Sequence, residues 1–73
     1  MSSISLGFVG LGYLSQTVHI PCFFNNKRAK IVAMCDHNKN ILSSVASKYG
    51  VKSTYTSLSK MIKNEVLDAI ILV

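Results

Sequence analysis

"GFVGLGYLSQ", residues 7–16, places three glycines and a serine at close spacing at the end of an apolar run. Ile4, Leu6, Phe8 and Val9 are too nearly continuous for a strand with one wet face, so this run reads as a buried strand ended by Gly10 and Gly12. Gly10-Leu11-Gly12-Tyr13-Leu14-Ser15 then fits the spacing G-x-G-x-x-small. Such spacing suits a pyrophosphate. The first glycine makes the tight turn, the second lets the backbone approach the phosphates, and the third small residue lets helix and strand pack closely. The anion rests on the free N–H groups at the start of the following helix. Ser15 occupies the place of the third glycine and is small enough to keep that packing, while Gly7 falls inside the strand rather than the turn.

Glycines alone make only a bend, so the surrounding elements decide. Over residues 13–26, Leu14, Val18 and Cys22 recur at the spacing of an apolar helix face. Pro21 lacks an N–H and would clash with the Thr17 carbonyl, which predicts a break near His19 and Ile20, with Pro21 opening a second helical turn. Asn25 and Asn26 make the exit loop, and Lys27 and Arg28 suit a helix C-terminus. "AKIVAMCD" supplies a second strand over 30–35, closed by Asp36. "NKNILSSVASKYG" is a helix with Leu42, Val45 and Tyr49 on one face and Gly50 at its C′ position. A short third strand lies around Thr54 and Tyr55. Ser57 caps a helix over 58–64 whose Leu58, Met61 and Ile62 point inward, and 68–73 is the fourth strand. The order βαβαβαβ with short connections implies an α/β Rossmann-type parallel sheet with right-handed crossovers. Its strand order is 3-2-1-4, with the switch point between the first and fourth strands.

Asp36 lies 24 positions after Gly12, near the roughly 20-residue spacing of a ribose-binding carboxylate. It can accept hydrogen bonds from adenosine ribose hydroxyls; the competing role is a cap for the helix after His37. A carboxylate there favours NAD, because it repels the 2′-phosphate of NADP. NADP stays the alternative, since His37 and Lys39 are close enough in sequence to offset that repulsion.

Bulk properties exclude much else. At 73 residues the chain holds one domain at most, and 49% hydrophobic residues without a low-complexity tract describe a globular segment. No apolar run approaches the roughly 18 residues of a bilayer span and no signal peptide is evident, so a soluble cytoplasmic protein with no membrane partner is expected. Cys22 and Cys35 lack metal or redox spacing and read as buried small hydrophobes, so no metal site is assigned. Eight Lys and Arg against three acids give a net charge of +5, dispersed except at Lys27, Arg28 and Lys30. A diffuse field favours anions in general, and nucleic-acid binding is the weakest of the functional readings. The run 68–73 stops without a turn or polar cap, which suggests a fragment of a longer protein. His19 is read as stabilising the break before Pro21, the serines have no base at useful spacing, and Phe23 and Phe24 are expected to pack on the sheet or on sequence beyond it.

At this point the sequence resembles the Gfo/Idh/MocA oxidoreductases. The likeness rests on "GFVGLGYLSQ", "HIP" at 19–21, "VAMCD" at 32–36, "ASKYGV" at 46–51, "YTSLSKMI" at 55–62 and "LDAIILV" at 67–73. It implies that residues 1–73 are the N-terminal part of a dinucleotide-binding domain. The rest of that domain, and a C-terminal domain binding a sugar, polyol or related substrate, would follow, often in a homo-oligomer. By position it implies that Gly10, Gly12, Tyr13 and Leu14 line the pyrophosphate turn and that Asp36 and His37 border the ribose. The family's catalytic lysine belongs to a later Glu-Lys-Pro segment, so no catalytic residue is assigned within these residues. The expected function is hydride transfer between a nicotinamide cofactor and a sugar-like substrate. A non-catalytic dinucleotide-binding sensor or regulatory module is the alternative, distinguished by absence of that lysine segment and of a later catalytic histidine.

Overall fold

Four strands, β1 (Ile4–Val9), β2 (Ala29–Cys35), β3 (Ser53–Tyr55) and β4 (Ala69–Leu72), pair in parallel in the order β3-β2-β1-β4. This is the predicted order, seen in a computed structural model that describes residues 3–73. Apolar side chains divide between the two faces. Phe8, Ile31 and Met34 pack with Leu11, Ile20, Leu42 and Val45 on one side, whereas Ala33 and Cys35 pack with Met61 on the other. Ile31 and Met34 share a face although three positions apart, because the β1–β2 register shifts between Leu6 and Gly7 and leaves Val32 as the extra residue. Gly7 lies within β1, as expected. A Cβ there would come within 2.7 Å of Leu67 Cδ1 and 2.9 Å of Met61 Cε, so the missing side chain makes room for Met61 to cover the sheet.

The helical segment after the glycine turn departs from the expected pattern. Instead of breaking near His19, the backbone stays helical through His19 (φ −70°, ψ −49°) and Ile20 (φ −62°, ψ −48°). A π-turn over Ser15–His19 leads directly into α1 (Ile20–Phe24), with the Ile20 N–H donating to the Ser15 carbonyl. The wide turn precedes Pro21 and accommodates its missing donor without interrupting the helix. It also rotates the buried face. Leu11, Ser15 and Ile20 are buried, while Leu14, Val18 and Cys22, the predicted apolar stripe, are exposed. An uninterrupted 3.6-residue period does not survive an inserted residue.

The second helix, α2 (Lys39–Tyr49), buries Leu42, Val45 and Ala46, with Tyr49 half-buried. Asn38 caps its N-terminus by accepting from the Asn40 and Ile41 N–H groups, and Gly50 closes it at φ +69°. Ser57 accepts from Lys60 N–H at the start of α3 (Leu58–Asn64), as its type and position predict. Only Met61 of that helix is buried; Leu58 and Ile62, expected to face inward, are exposed. A seven-residue helix meeting the sheet over the gap at Gly7 presents a single residue to it. Phe23 packs edge-on against Phe8 of β1, on the sheet as expected, whereas Phe24 packs edge-on against Tyr49 of α2 and stays half exposed.

The two cysteines differ from the expectation that both are buried: Cys35 is, at the end of β2, and Cys22 is exposed. Burial, and secondarily the Asp36 carboxylate, push the Cys35 thiol above its ordinary pKa. A thiol reagent at about pH 8 is therefore expected to modify Cys22 promptly and Cys35 only after unfolding. Mass spectrometry of the native and denatured protein checks this. Rapid double modification of the native protein would contradict it.

Candidate functional site

The loop from β1 and the end of β2 meet at the carboxyl edge of the sheet. Gly10 N–H donates to Cys35 O at 3.0 Å, and Leu11 N–H donates to Asp36 Oδ2 at 2.8 Å, joining residues 25 positions apart. The other carboxylate oxygen, Oδ1, accepts from Asn38 N–H at 2.8 Å. Asp36 thus ties the glycine turn to the entry of α2, and the helix cap itself is Asn38 rather than Asp36. Each carboxylate oxygen offers two acceptor directions, and each uses one on a backbone N–H. One direction per oxygen is left for a ligand hydroxyl. His37 is almost wholly exposed, its Nδ1 3.8 Å from Asp36 Oδ1.

The two glycines of the turn do different work. Gly10 adopts φ +91°, and a Cβ on it would lie 2.7 Å from the Val73 carbonyl oxygen. It lets the turn form beside the chain leaving β4. Gly12 meets nothing within 4 Å of where its Cβ would be, so its bare backbone faces open space. Leu11, between them, buries its side chain completely and anchors the loop in the core. Among the described residues, the N–H groups of Gly12, Tyr13 and Leu14 donate to no protein acceptor, while Tyr13 and Leu14 expose their side chains.

A dinucleotide fits these features. The open backbone at Gly12 and the N–H groups that follow would hold a pyrophosphate, and the remaining acceptor capacity of Asp36 would hold ribose hydroxyls. Such a ligand would bring the nicotinamide ring, which carries the hydride chemistry, and these residues would bind and orient it.

The sequence profile of the Gfo/Idh/MocA oxidoreductases, an oxidoreductase family with an NAD-binding Rossmann fold, matches residues 4–73. The chain belongs to this family. Among solved Gfo/Idh/MocA-like structures, the chain is 33% identical to myo-inositol 2-dehydrogenase from Lactobacillus plantarum, with 99% of this chain and 21% of that one covered at a TM-score of 0.89. The WlbA dehydrogenase from Bordetella pertussis, in complex with NADH and UDP-GlcNAcA, is 32% identical, with coverages of 96% and 21% and a TM-score of 0.85. Scyllo-inositol dehydrogenase from Lactobacillus casei, with bound NAD(H) and scyllo-inositol, is 25% identical with coverages of 99% and 21% and a TM-score of 0.88. Oxidoreductase P35 from Formosa agariphila is 25% identical over 69 residues, 94% of this chain and 22% of the relative. The chain thus spans about a fifth of the length of the relatives it matches. No helix among the described residues is long and apolar enough to cross a membrane.

Of the residues singled out in the sequence, the structure brings the Gly10–Gly12 turn against Asp36. Tyr13, Leu14 and His37 stand exposed around that junction. Leu11 was not among them, although its N–H is the group that joins turn to acid. Its x position in the glycine pattern carries no residue-type signal for a backbone donor. Ser15 and Gln16 also hold the turn, their side chains donating to the Gly10 and Leu11 carbonyls.

Proposed function

We propose that these residues are the N-terminal part of the dinucleotide-binding domain of a longer, cytoplasmic, homo-oligomeric oxidoreductase. It would move hydride between NAD and a hydroxyl-bearing carbon of a sugar, polyol or related substrate. Gly10 shapes the pyrophosphate turn; Gly12, Tyr13 and Leu14 line it, and Asp36 and His37 border the adenosine ribose. The bond from Leu11 N–H to Asp36 Oδ2 carries this reading, because it holds the phosphate-binding backbone and the ribose-binding carboxylate side by side at the ends of β1 and β2. The family membership and the sugar and polyol dehydrogenases among the relatives support the substrate class.

The full-length protein, given NAD and a panel of polyols and sugars, is expected to form NADH with at least one of them, followed by its near-ultraviolet absorbance. NADH binding without turnover across the panel and with nucleotide-linked sugars would overturn the substrate class. Failure to bind NADH would overturn the whole reading.

A further inference from the structure

Three consecutive carbonyls of the glycine turn are each met by a donor from just two residues. Ser15 Oγ donates to Gly10 O at 2.5 Å, Gln16 Nε2 to Leu11 O at 2.8 Å, and Gln16 N–H to Gly12 O at 3.0 Å. Ser15 is fully buried and Gln16 half-buried, so the first of these bonds is shielded from water. A carbonyl oxygen is the negative end of the peptide dipole. Were the Leu11–Gly12 or Gly12–Tyr13 peptide to flip, it would set that oxygen against a pyrophosphate and withdraw an N–H from it; a flip of the Gly10–Leu11 peptide would instead break the bond from Leu11 N–H to Asp36.

We propose that the Ser15 and Gln16 side chains are positioning groups that hold the Gly10 and Leu11 carbonyls back against the helix, so that Leu11 N–H stays on Asp36 and the turn meets the pyrophosphate with the Gly12 N–H already outward. The proposal rests on the reading of this turn as the NAD site. Neither side chain need touch the cofactor; both act through the backbone of Gly10 to Gly12. Ser15 is then more than a tolerated substitute for the third glycine, because glycine has no hydroxyl to give Gly10 O. The π-turn contributes as well, since the Ser15 carbonyl receives Ile20 N–H and fixes Ser15 from its other side.

The test compares full-length wild type with Ser15→Ala, Ser15→Gly and Gln16→Met. NADH affinity is measured well below the melting midpoint of each variant, alongside amide hydrogen exchange of residues 10–14 without ligand. Each substitution removes one hydrogen bond, so the Kd for NADH is expected to rise about 3–10-fold, with faster exchange of the Gly10 and Leu11 amides, which donate to Cys35 O and Asp36 Oδ2. A residue that only stabilised the fold would lower the melting midpoint and leave the Kd of the folded protein unchanged. Wild-type NADH binding with Kd values within about 2-fold of it in all three variants would overturn the positioning role and leave the NAD site standing. A wild type that does not bind NADH would overturn both.

Discussion

Replacing Asp36 with alanine is expected to weaken NADH binding by about 10–100-fold and to narrow or reverse the preference for NADH over NADPH. The first effect follows from losing hydrogen bonds between ribose hydroxyls and a charged acceptor, each contributing roughly 1.5–3 kcal/mol. The second follows from removing a negative charge that would face the 2′-phosphate, with Lys39 and His37 close in sequence. Part of the loss comes from within the protein, because Leu11 and Asn38 N–H groups both donate to this carboxylate. Asp36→Asn separates the contributions. Its single carbonyl oxygen can keep one of those backbone bonds, and its amide group carries no charge to repel NADPH. Fluorescence titrations with both cofactors read the outcome, and an unchanged NADH-to-NADPH ratio in both variants would contradict the assignment.

Alanine at the two turn glycines is expected to produce opposite effects. Gly10→Ala forces a side chain onto a backbone at φ +91° and drives its Cβ against a backbone oxygen 2.7 Å away, which cannot rotate aside as a side-chain end would. A loss of about 2–4 kcal/mol in stability is expected, enough to lower the melting midpoint clearly. Gly12→Ala meets nothing within 4 Å and has no positive φ to violate, so the fold is expected to hold within about 0.5 kcal/mol. On the proposed reading its methyl group would occupy the space through which a pyrophosphate approaches, and NADH binding is expected to fall at least tenfold, or about 1.4 kcal/mol. Thermal melts and NADH titrations of both variants check this. Normal NADH affinity in Gly12→Ala would place the phosphates elsewhere.

The strand order and the junction of Gly10–Gly12 with Asp36 were legible in the sequence because they rest on strong local signals. These are a run of apolar residues, glycines at fixed spacing, and an acid closing the next strand. Ser57 and Gly50 were equally readable, since capping and positive φ each select a narrow set of residue types. The buried face of the first helix was not. Leu14, Val18 and Cys22 keep an ideal helical period, but the π-turn before Pro21 shifts the interior to Leu11, Ser15 and Ile20. Proline announces a disturbance without saying whether the chain breaks or widens. The inward set of α3 failed for another reason: how much of a short helix is covered depends on what the sheet leaves open, here the gap over Gly7. The roles of Leu11, Ser15 and Gln16 depend on backbone and side-chain bonds across the turn, which become visible only once the turn has its shape.

On the proposed reading one ligand is held by the glycine turn and by Asp36 together. Amide hydrogen exchange of the full-length protein with and without NADH tests this most directly. Protection is expected in two separated peptides, one covering residues 10–14 and one covering 36–38, with no added protection over the middle of α2 at residues 43–48. NADH binding that leaves either peptide unprotected, or that protects α2 instead, would contradict it.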